Sequence, residues 1–241
     1  MRHLGILAHS AEGAALCLRA FCQQGSVQLG PHQHPDVTLD CIAFGPSMPA
    51  WDARDFAAIR TTLAISVGRL AQAGADFFAC PDNTAHLALE SAGPPLALPG
   101  LHIADVVAEQ ARRDGRRMVG VLATKYTMDS DLYPRALGRL GIDTAIPGDR
   151  DRQVVNDIIF GELVEGVFTA QARAAYRQII AKLREDGCDA VALACTEIPL
   201  LIDDRSSPLP VLDSTRLLAA AAFDLAAGDL PLPSWRGGTG R

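Results

Sequence analysis

The chain reads as two similar halves, which constrains its fold more than any single motif. Gly74-Ala75-Asp76-Phe77-Phe78-Ala79-Cys80-Pro81-Asp82-Asn83-Thr84 is echoed by Gly187-Cys188-Asp189-Ala190-Val191-Ala192-Leu193-Ala194-Cys195-Thr196. Each copy opens with Gly-x-Asp, continues as a short apolar run and ends in small polar residues. A second echo lies upstream, where Gly5-Ile6-Leu7-Ala8 matches Gly120-Val121-Leu122-Ala123. The two echoes are offset by nearly the same interval, so the repeat covers a whole α/β unit. Aligning Gly74 with Gly187 brings Asp82 opposite Cys195. Duplication of this kind is expected to bring equivalent strand ends together across a cleft, with these two proton-carrying side chains facing one another. Such a pair suits moving a proton on and off a carbon.

Strand signals recur at Leu4–Ala8, 38–44, 77–80, Met118–Ala123 and Ala190–Ala194, with helical patterns at 55–73, Ile103–Arg113, Ala170–Glu185 and 215–227. In Ala170–Glu185 the apolar face is expected to be Ala174, Ala175, Ile179, Ala181 and Leu183. The alternation predicts an α/β protein of two pseudo-symmetric lobes, each a mostly parallel sheet flanked by helices. In such folds ligands bind at the carboxyl ends of the strands. The lobes are expected at 1–100 plus 212–228 and at 101–211, followed by a weakly ordered tail over 229–241. Segment 44–51, which carries Trp51, reads as a surface connection, with a lid or substrate loop as the alternative.

The net charge of −6 gives no reason to expect a nucleic-acid or anionic-membrane partner. The apolar runs are too short for a signal peptide or a bilayer span. The six cysteines include no C-x-x-C pair, which fits a reducing, cytoplasmic compartment and argues against zinc. His32-Gln33-His34 is too isolated to suggest another metal site. The two lysines are Lys125 and Lys182, and nothing around Lys125 suggests pyridoxal phosphate. Catalysis is expected to need no cofactor or metal.

Cys195 ends an apolar strand just before Thr196-Glu197-Ile198-Pro199, where a helix should begin. A helix N-terminus favours thiolate, and the competing reading is a buried structural thiol. Asp82 is either the N-cap of the helix containing Leu87 and Leu89 or a base. Cys80 aligns with Leu193, a strand-core position, and reads as structural. Asn83, Thr84 and Thr196, with nearby backbone N–H groups, are candidates to hold a substrate carboxylate as negative charge grows on it. His86 is placed to orient Asp82 or to pack against the strand end, and Glu197 to organise the second strand end. Ser10 and Thr124 also suit helix caps, and Tyr126 a packing role.

Asp82-Asn83-Thr84-Ala85-His86 and Ala194-Cys195-Thr196-Glu197 resemble the paired motifs of the pyridoxal-independent aspartate/glutamate racemase family, Cys-Asn-Thr-x-His and Gly-Cys-Thr-Glu. That group also includes hydantoin racemases, maleate isomerases and arylmalonate decarboxylases. Ala123-Thr124-Lys125-Tyr126-Thr127-Met128, segment 156–168 and Val211-Leu212-Asp213-Ser214-Thr215 extend the resemblance over nearly the whole chain. It implies two lobes with the site between them, usually in a homodimer, and Ser10, Thr124, Tyr126 and Thr127 near the substrate. It also implies a pair of cysteines acting on opposite faces of the α-carbon. Here Asp82 stands where the first cysteine is expected. A carboxylate is a weaker base than a thiolate by several pKa units, so the two directions of proton transfer need not be equally fast.

The leading expectation is a cofactor-independent racemase or epimerase of a small carboxylate-bearing amino acid or derivative, working between Asp82 and Cys195. A lyase or decarboxylase using Cys195 as sole proton donor is one alternative, and a non-catalytic small-ligand binding protein is another. A hydrolase built on Ser10 and His86 lacks a nucleophile-elbow pattern. Arg54 and Arg60 are candidates to meet a substrate side-chain carboxylate.

Overall fold

Strands that are covered on both faces should be apolar throughout rather than alternating, and Leu4–Ala8 and Ala190–Ala194 are buried at every residue. The computed structural model describes residues 1–239. It divides into two compact units, one formed by 1–103 with the chain from Leu218 onward, the other by Ala104–Leu217. The first contains β1 (Leu4–Ala8), α1 (Ala11–Gln28), β2 (Val37–Cys41), α2 (Met48–Asp52), α3 (Phe56–Gln72), β3 (Phe77–Ala79), α4 (Ala85–Leu89) and β4 (Gly100–Leu101). Helix α5 (Ile103–Arg113) leads into the second, with β5 (Met118–Ala123), α6 (Lys125–Met128), α7 (Leu132–Gly138), β6 (Asp143–Ala145) and α8 (Asp149–Gly161). After these come α9 (Ala170–Glu185), β7 (Ala190–Ala194), α10 (Ile198–Leu201) and β8 (Val211–Asp213), and α11 (Ser214–Ala227) returns the chain to the first unit.

Each unit has a four-stranded sheet with all neighbours parallel, in the orders β2-β1-β3-β4 and β6-β5-β7-β8. The expected α/β class, with two parallel sheets flanked by helices, is the observed one. Strand order is the same in both, so the chain repeats its topology as well as its motifs.

The Gly-x-Asp echo has a structural cause. Gly74 and Gly187 take φ of 89° and 102°, left-handed values that a side chain disfavours, and they end α3 and α9. Ala75 N–H and Cys188 N–H reach back to Leu70 O and Leu183 O, closing each helix end. Two residues after each glycine, an aspartate ties down the start of the neighbouring strand. Asp76 Oδ2 accepts His3 N–H at 2.7 Å, and Asp189 Oδ2 accepts Arg117 N–H at 2.9 Å. The repeat therefore sets the register of β3 on β1 and of β7 on β5.

Several elements differ from expectation. The buried face of α9 is Ala172, Tyr176, Ile179, Ile180 and Leu183, whereas Ala174 is exposed and Ala175 and Ala181 are half-buried. The small alanines give no face of their own, and Tyr176 carries it. Periodicity does not mark α1, whose buried face of Gly13, Ala14, Cys17, Phe21 and Gly25 is mostly small. Strands β4, β6 and β8 are two or three residues long and flank the sheets, too short to show a pattern. Among the described residues no helix is long and apolar enough to cross a membrane.

The tail expected to be weakly ordered lacks regular structure but is anchored as far as Gly238. Trp235 is buried and stacks on His86 with an interplanar angle of 11°. Its backbone carbonyl accepts Gly100 N–H, Arg236 O accepts Leu96 N–H, and Gly238 N–H donates to Leu89 O. A large aromatic supplies enough burial to order an irregular segment, which its Pro- and Gly-rich composition hides. The last two residues, Gly240 and Arg241, lie outside the described residues. Trp235→Ala is expected to cost about 3 kcal/mol, the usual loss for emptying such a site. Chemical denaturation checks this, and an unchanged midpoint would show the tail to be dispensable.

Candidate functional site

The β1–β3 ladder pairs Leu4 with Phe77, Gly5 with Phe78 and Ile6 with Ala79. Carried past the strand ends, that register sets His9 beside Asp82. The side chains meet there: His9 Nδ1 and Asp82 Oδ2 are 2.6 Å apart. Trp51 Nε1–H donates to the other ring nitrogen, His9 Nε2, at 3.4 Å. A nitrogen that accepts carries no proton, so the neutral ring is assigned the Nδ1–H tautomer, with that proton donated to Asp82. Phe44 packs edge-on against the same ring at a centroid distance of 4.8 Å.

Asp82 is held from its other side as well. Its Oδ1 accepts Ala85 N–H at 3.1 Å, so it does cap the first turn of α4. Its backbone carbonyl accepts from His86 Nδ1 at 2.8 Å, and His86 Nε2 accepts Ile103 N–H at 3.3 Å. His86 thus fastens the main chain at Asp82 to the start of α5, while Trp235 and His102 close around its ring. Burial pushes the Asp82 carboxyl up. The His9 hydrogen bond and the electrostatic pull of that ring, the Ala85 amide and the His86 ring outweigh it and hold the carboxyl below its ordinary value. Hydrogen bonds to charged groups contribute roughly 1.5–3 kcal/mol each, enough to offset moderate desolvation. The side chain keeps 16% of its surface exposed.

The β5–β7 ladder pairs Ala123 with Ala194, and its next step sets Thr124 beside Cys195. Cys195 is 8% exposed and its thiol donates to Glu197 Oε2 at 3.0 Å. A helix N-terminus was expected to favour thiolate here. Instead α10 is a single turn starting at Ile198, and the Cys195 proton rests against a carboxylate oxygen. The Tyr176 hydroxyl donates to Val155 O at 3.3 Å. Burial first, then the nearby Cys195, Glu197 and Glu162, pushes that hydroxyl well above its ordinary value.

Burial pushes Cys17 up to about 12, with Cys22 adding to it, and Cys188 up to about 11, with Asp186 and Asp189 adding. Cys80 is wholly buried in the core of its unit and raised well above the usual thiol value by burial and then Asp82. None of the six cysteines, all within the described residues, forms a disulfide. No group of three or more His, Cys, Asp or Glu among the described residues is placed to hold a metal ion.

The remaining candidates fall at the same strand ends. Ser10 caps α1, accepting Gly13 N–H, and Thr124 caps α6, accepting Thr127 N–H. Thr127 and Thr196 are buried, as is Asn83, while Thr84 and Tyr126 are half-buried. Arg60 does not fit the role of a substrate contact, because it is buried and its guanidinium donates to Leu89 O and Pro94 O. Arg54 is exposed on a left-handed φ of 52°. Segment 44–51 is no plain surface connection, since Trp51 is buried in the core and reaches His9.

The family model for Asp/Glu/Hydantoin racemase matches residues 19–222. The chain belongs to this racemase family. A broad specificity amino-acid racemase of Bacillus subtilis is 28% identical over 63% of the chain and 65% of that protein. A glutamate racemase of Pseudomonas aeruginosa is 31% identical over 64% of the chain and 61% of that protein. The aligned stretch is thus under two thirds of either curated relative. A crystal structure from Yersinia pestis, provisionally described as an Asp/Glu racemase, is 33% identical with a TM-score of 0.83. It covers 94% of this chain and 100% of that one.

His9 and Trp51 are site neighbours that motif reading misses. His9 sits outside both polar clusters and is found by extending the ladder register rather than by spacing along the chain. The first unit of this racemase-family chain also makes a prediction about acid stability. Asp82 titrates lower when folded, so its stabilisation is present above the ordinary carboxylate value of 3.8 and is lost as pH falls through the folded value below it. The stability difference between wild type and Asp82→Asn should shrink as pH is lowered from 3.8, read from urea midpoints. A difference that holds constant or grows would mean that Asp82 is not stabilised in its ionised form.

Proposed function

We propose that the chain is a cofactor-independent amino-acid racemase or epimerase in which Asp82 and Cys195 act on opposite faces of a substrate α-carbon. The observation that carries this is topological. Asp82 follows β3 and Cys195 follows β7, the third strand of two sheets with the same order, in a chain of the racemase family. Each side chain has a proton partner of its own, His9 for Asp82 and Glu197 for Cys195.

In one direction the Asp82 carboxylate takes the α-proton, leaving a carbanion whose charge spreads into the substrate carboxylate. The Cys195 thiol then gives its proton to the opposite face. The cycle closes when Asp82 releases its proton to solvent and the Cys195 thiolate takes one up. The reverse direction needs the Cys195 proton to move first, and Glu197 Oε2 is the acceptor at hand. Asn83, Thr84 and Thr196, together with Ser10, Thr124, Tyr126 and Thr127, are proposed to hold the substrate carboxylate where that charge develops. The proposal includes a small carboxylate-bearing amino acid as substrate and a cytoplasmic homodimer. The Bacillus subtilis relative described as broad in specificity supports testing a wide panel of amino acids.

The test is solvent deuterium incorporation at the α-carbon, followed by NMR from each enantiomer of the panel separately. Wild type should incorporate deuterium and racemise. Cys195→Ala should lose racemisation, by about 10²-fold or more for a removed acid–base group, and keep exchange only from the enantiomer that Asp82 deprotonates. Asp82→Asn should lose exchange on one face only, and Asp82→Cys should restore exchange from both. Carbon dioxide release would point to a lyase, and silence across the panel in wild type would overturn the proposal in favour of ligand binding.

A further inference from the structure

A carboxylate that takes a proton from carbon must stay ionised and keep one lone pair aimed at the substrate. A mobile, half-buried aspartate meets neither condition. Asp82 has each oxygen engaged once, Oδ1 by Ala85 N–H and Oδ2 by His9. The Ala85 amide is an ordinary helix-cap donor. His9 is not ordinary: its side chain is 5% exposed, and both ring nitrogens are engaged, Nδ1 with Asp82 and Nε2 with the Trp51 indole N–H. Both nitrogens are committed, so the ring is poorly placed to exchange protons with substrate itself. Trp51 is in turn buried in the unit's core and packed against Phe56 at 5.9 Å, which fixes the direction of its N–H.

We propose that His9 is a positioning residue for Asp82, its tautomer locked by Trp51 so that Nδ1–H holds one carboxylate oxygen and leaves Asp82 aimed as a proton acceptor. This rests on the racemase assignment of Asp82. The titratable groups facing Asp82 are His9 after β1, His86 on α4 and Cys80 after β3. His86 acts on the backbone carbonyl and Cys80 is held as a thiol by burial, leaving His9 as the neighbour that both donates to the carboxylate and favours its charge. The aromatic side chains against His9, Phe44 and Trp51, carry no charge. The arrangement also accounts for segment 44–51, which supplies both aromatics and so couples this loop to the ionisation of Asp82.

Two measurements on the full-length chain test this. In the ligand-free protein, NMR of the imidazole nitrogens should show His9 as the Nδ1–H tautomer. The Asp82 carboxyl carbon should titrate lower in wild type than in His9→Ala, and His9→Asn, whose amide can donate from nearly the Nδ1 position, should restore much of the difference. Trp51→Phe should loosen the tautomer without emptying the core. In the exchange assay with the amino-acid panel, His9→Ala should lower kcat about 10²-fold, the scale of misaligning a reacting group, with little change in KM. The acid limb of its kcat/KM profile should move to higher pH. An Nε2–H tautomer, an Asp82 titration unmoved by His9→Ala, or an activity loss with no shift of the acid limb and no recovery in His9→Asn would each overturn the proposal. If wild type exchanges no α-hydrogen, the racemase assignment fails, while the carboxyl titration still decides whether His9 governs Asp82.

Discussion

The parallel ladder between the two central strands of each unit fixes everything that could do chemistry here. β1 on β3 and β5 on β7 are buried on both faces, so each apolar side chain has a required side and a required depth. A one-residue slip would turn every side chain to the opposite face. Gly-x-Asp guards against that slip, through helix ends closed at Gly74 and Gly187 and strand starts tied by Asp76 and Asp189. With the register set, His9 must lie beside Asp82 and Thr124 beside Cys195. The polar ends are therefore set by an apolar core.

Equivalent positions carry different chemistry in the two units. On one side a carboxylate is kept ionised by an imidazole N–H and an amide. On the other a thiol proton leans on a carboxylate. In the proposed reaction the resting form already holds a base on one face and an acid on the other, which suits one direction and leaves the other to a rearranged proton. Enantiomers have equal free energies, so kcat/KM is the same from either side whatever residues are used. The inequality must appear in kcat and KM separately, and in isotope effects.

The sequence made the fold legible because its signals were redundant. Apolar runs, helical patterns and the two echoes pointed to the same duplicated α/β unit, and the strands at Leu4–Ala8, Met118–Ala123 and Ala190–Ala194 occur at those bounds. Most of what it hid depended on contacts distant in sequence. His9 has no motif around it and gains its place from Asp82 across the ladder. Trp235 looks like part of a tail until His86 stacks on it. Cys195 followed by Thr-Glu-Ile-Pro suggested a helix dipole, but the single turn of α10 leaves the Glu197 side chain as its nearer electrostatic partner. Arg60 looked available for a substrate and instead ties down two backbone carbonyls. In each case the three-dimensional partner, which local residue type does not reveal, decides the role.

The unequal pair is tested most directly by primary kinetic isotope effects from the two α-deuterated enantiomers of one amino acid that the wild-type protein turns over. Proton removal by Asp82 and by Cys195 begins from different proton affinities, so the step should limit turnover to different extents in the two directions. The account predicts isotope effects that differ between the enantiomers and converge in Asp82→Cys. Equal isotope effects in wild type would contradict it.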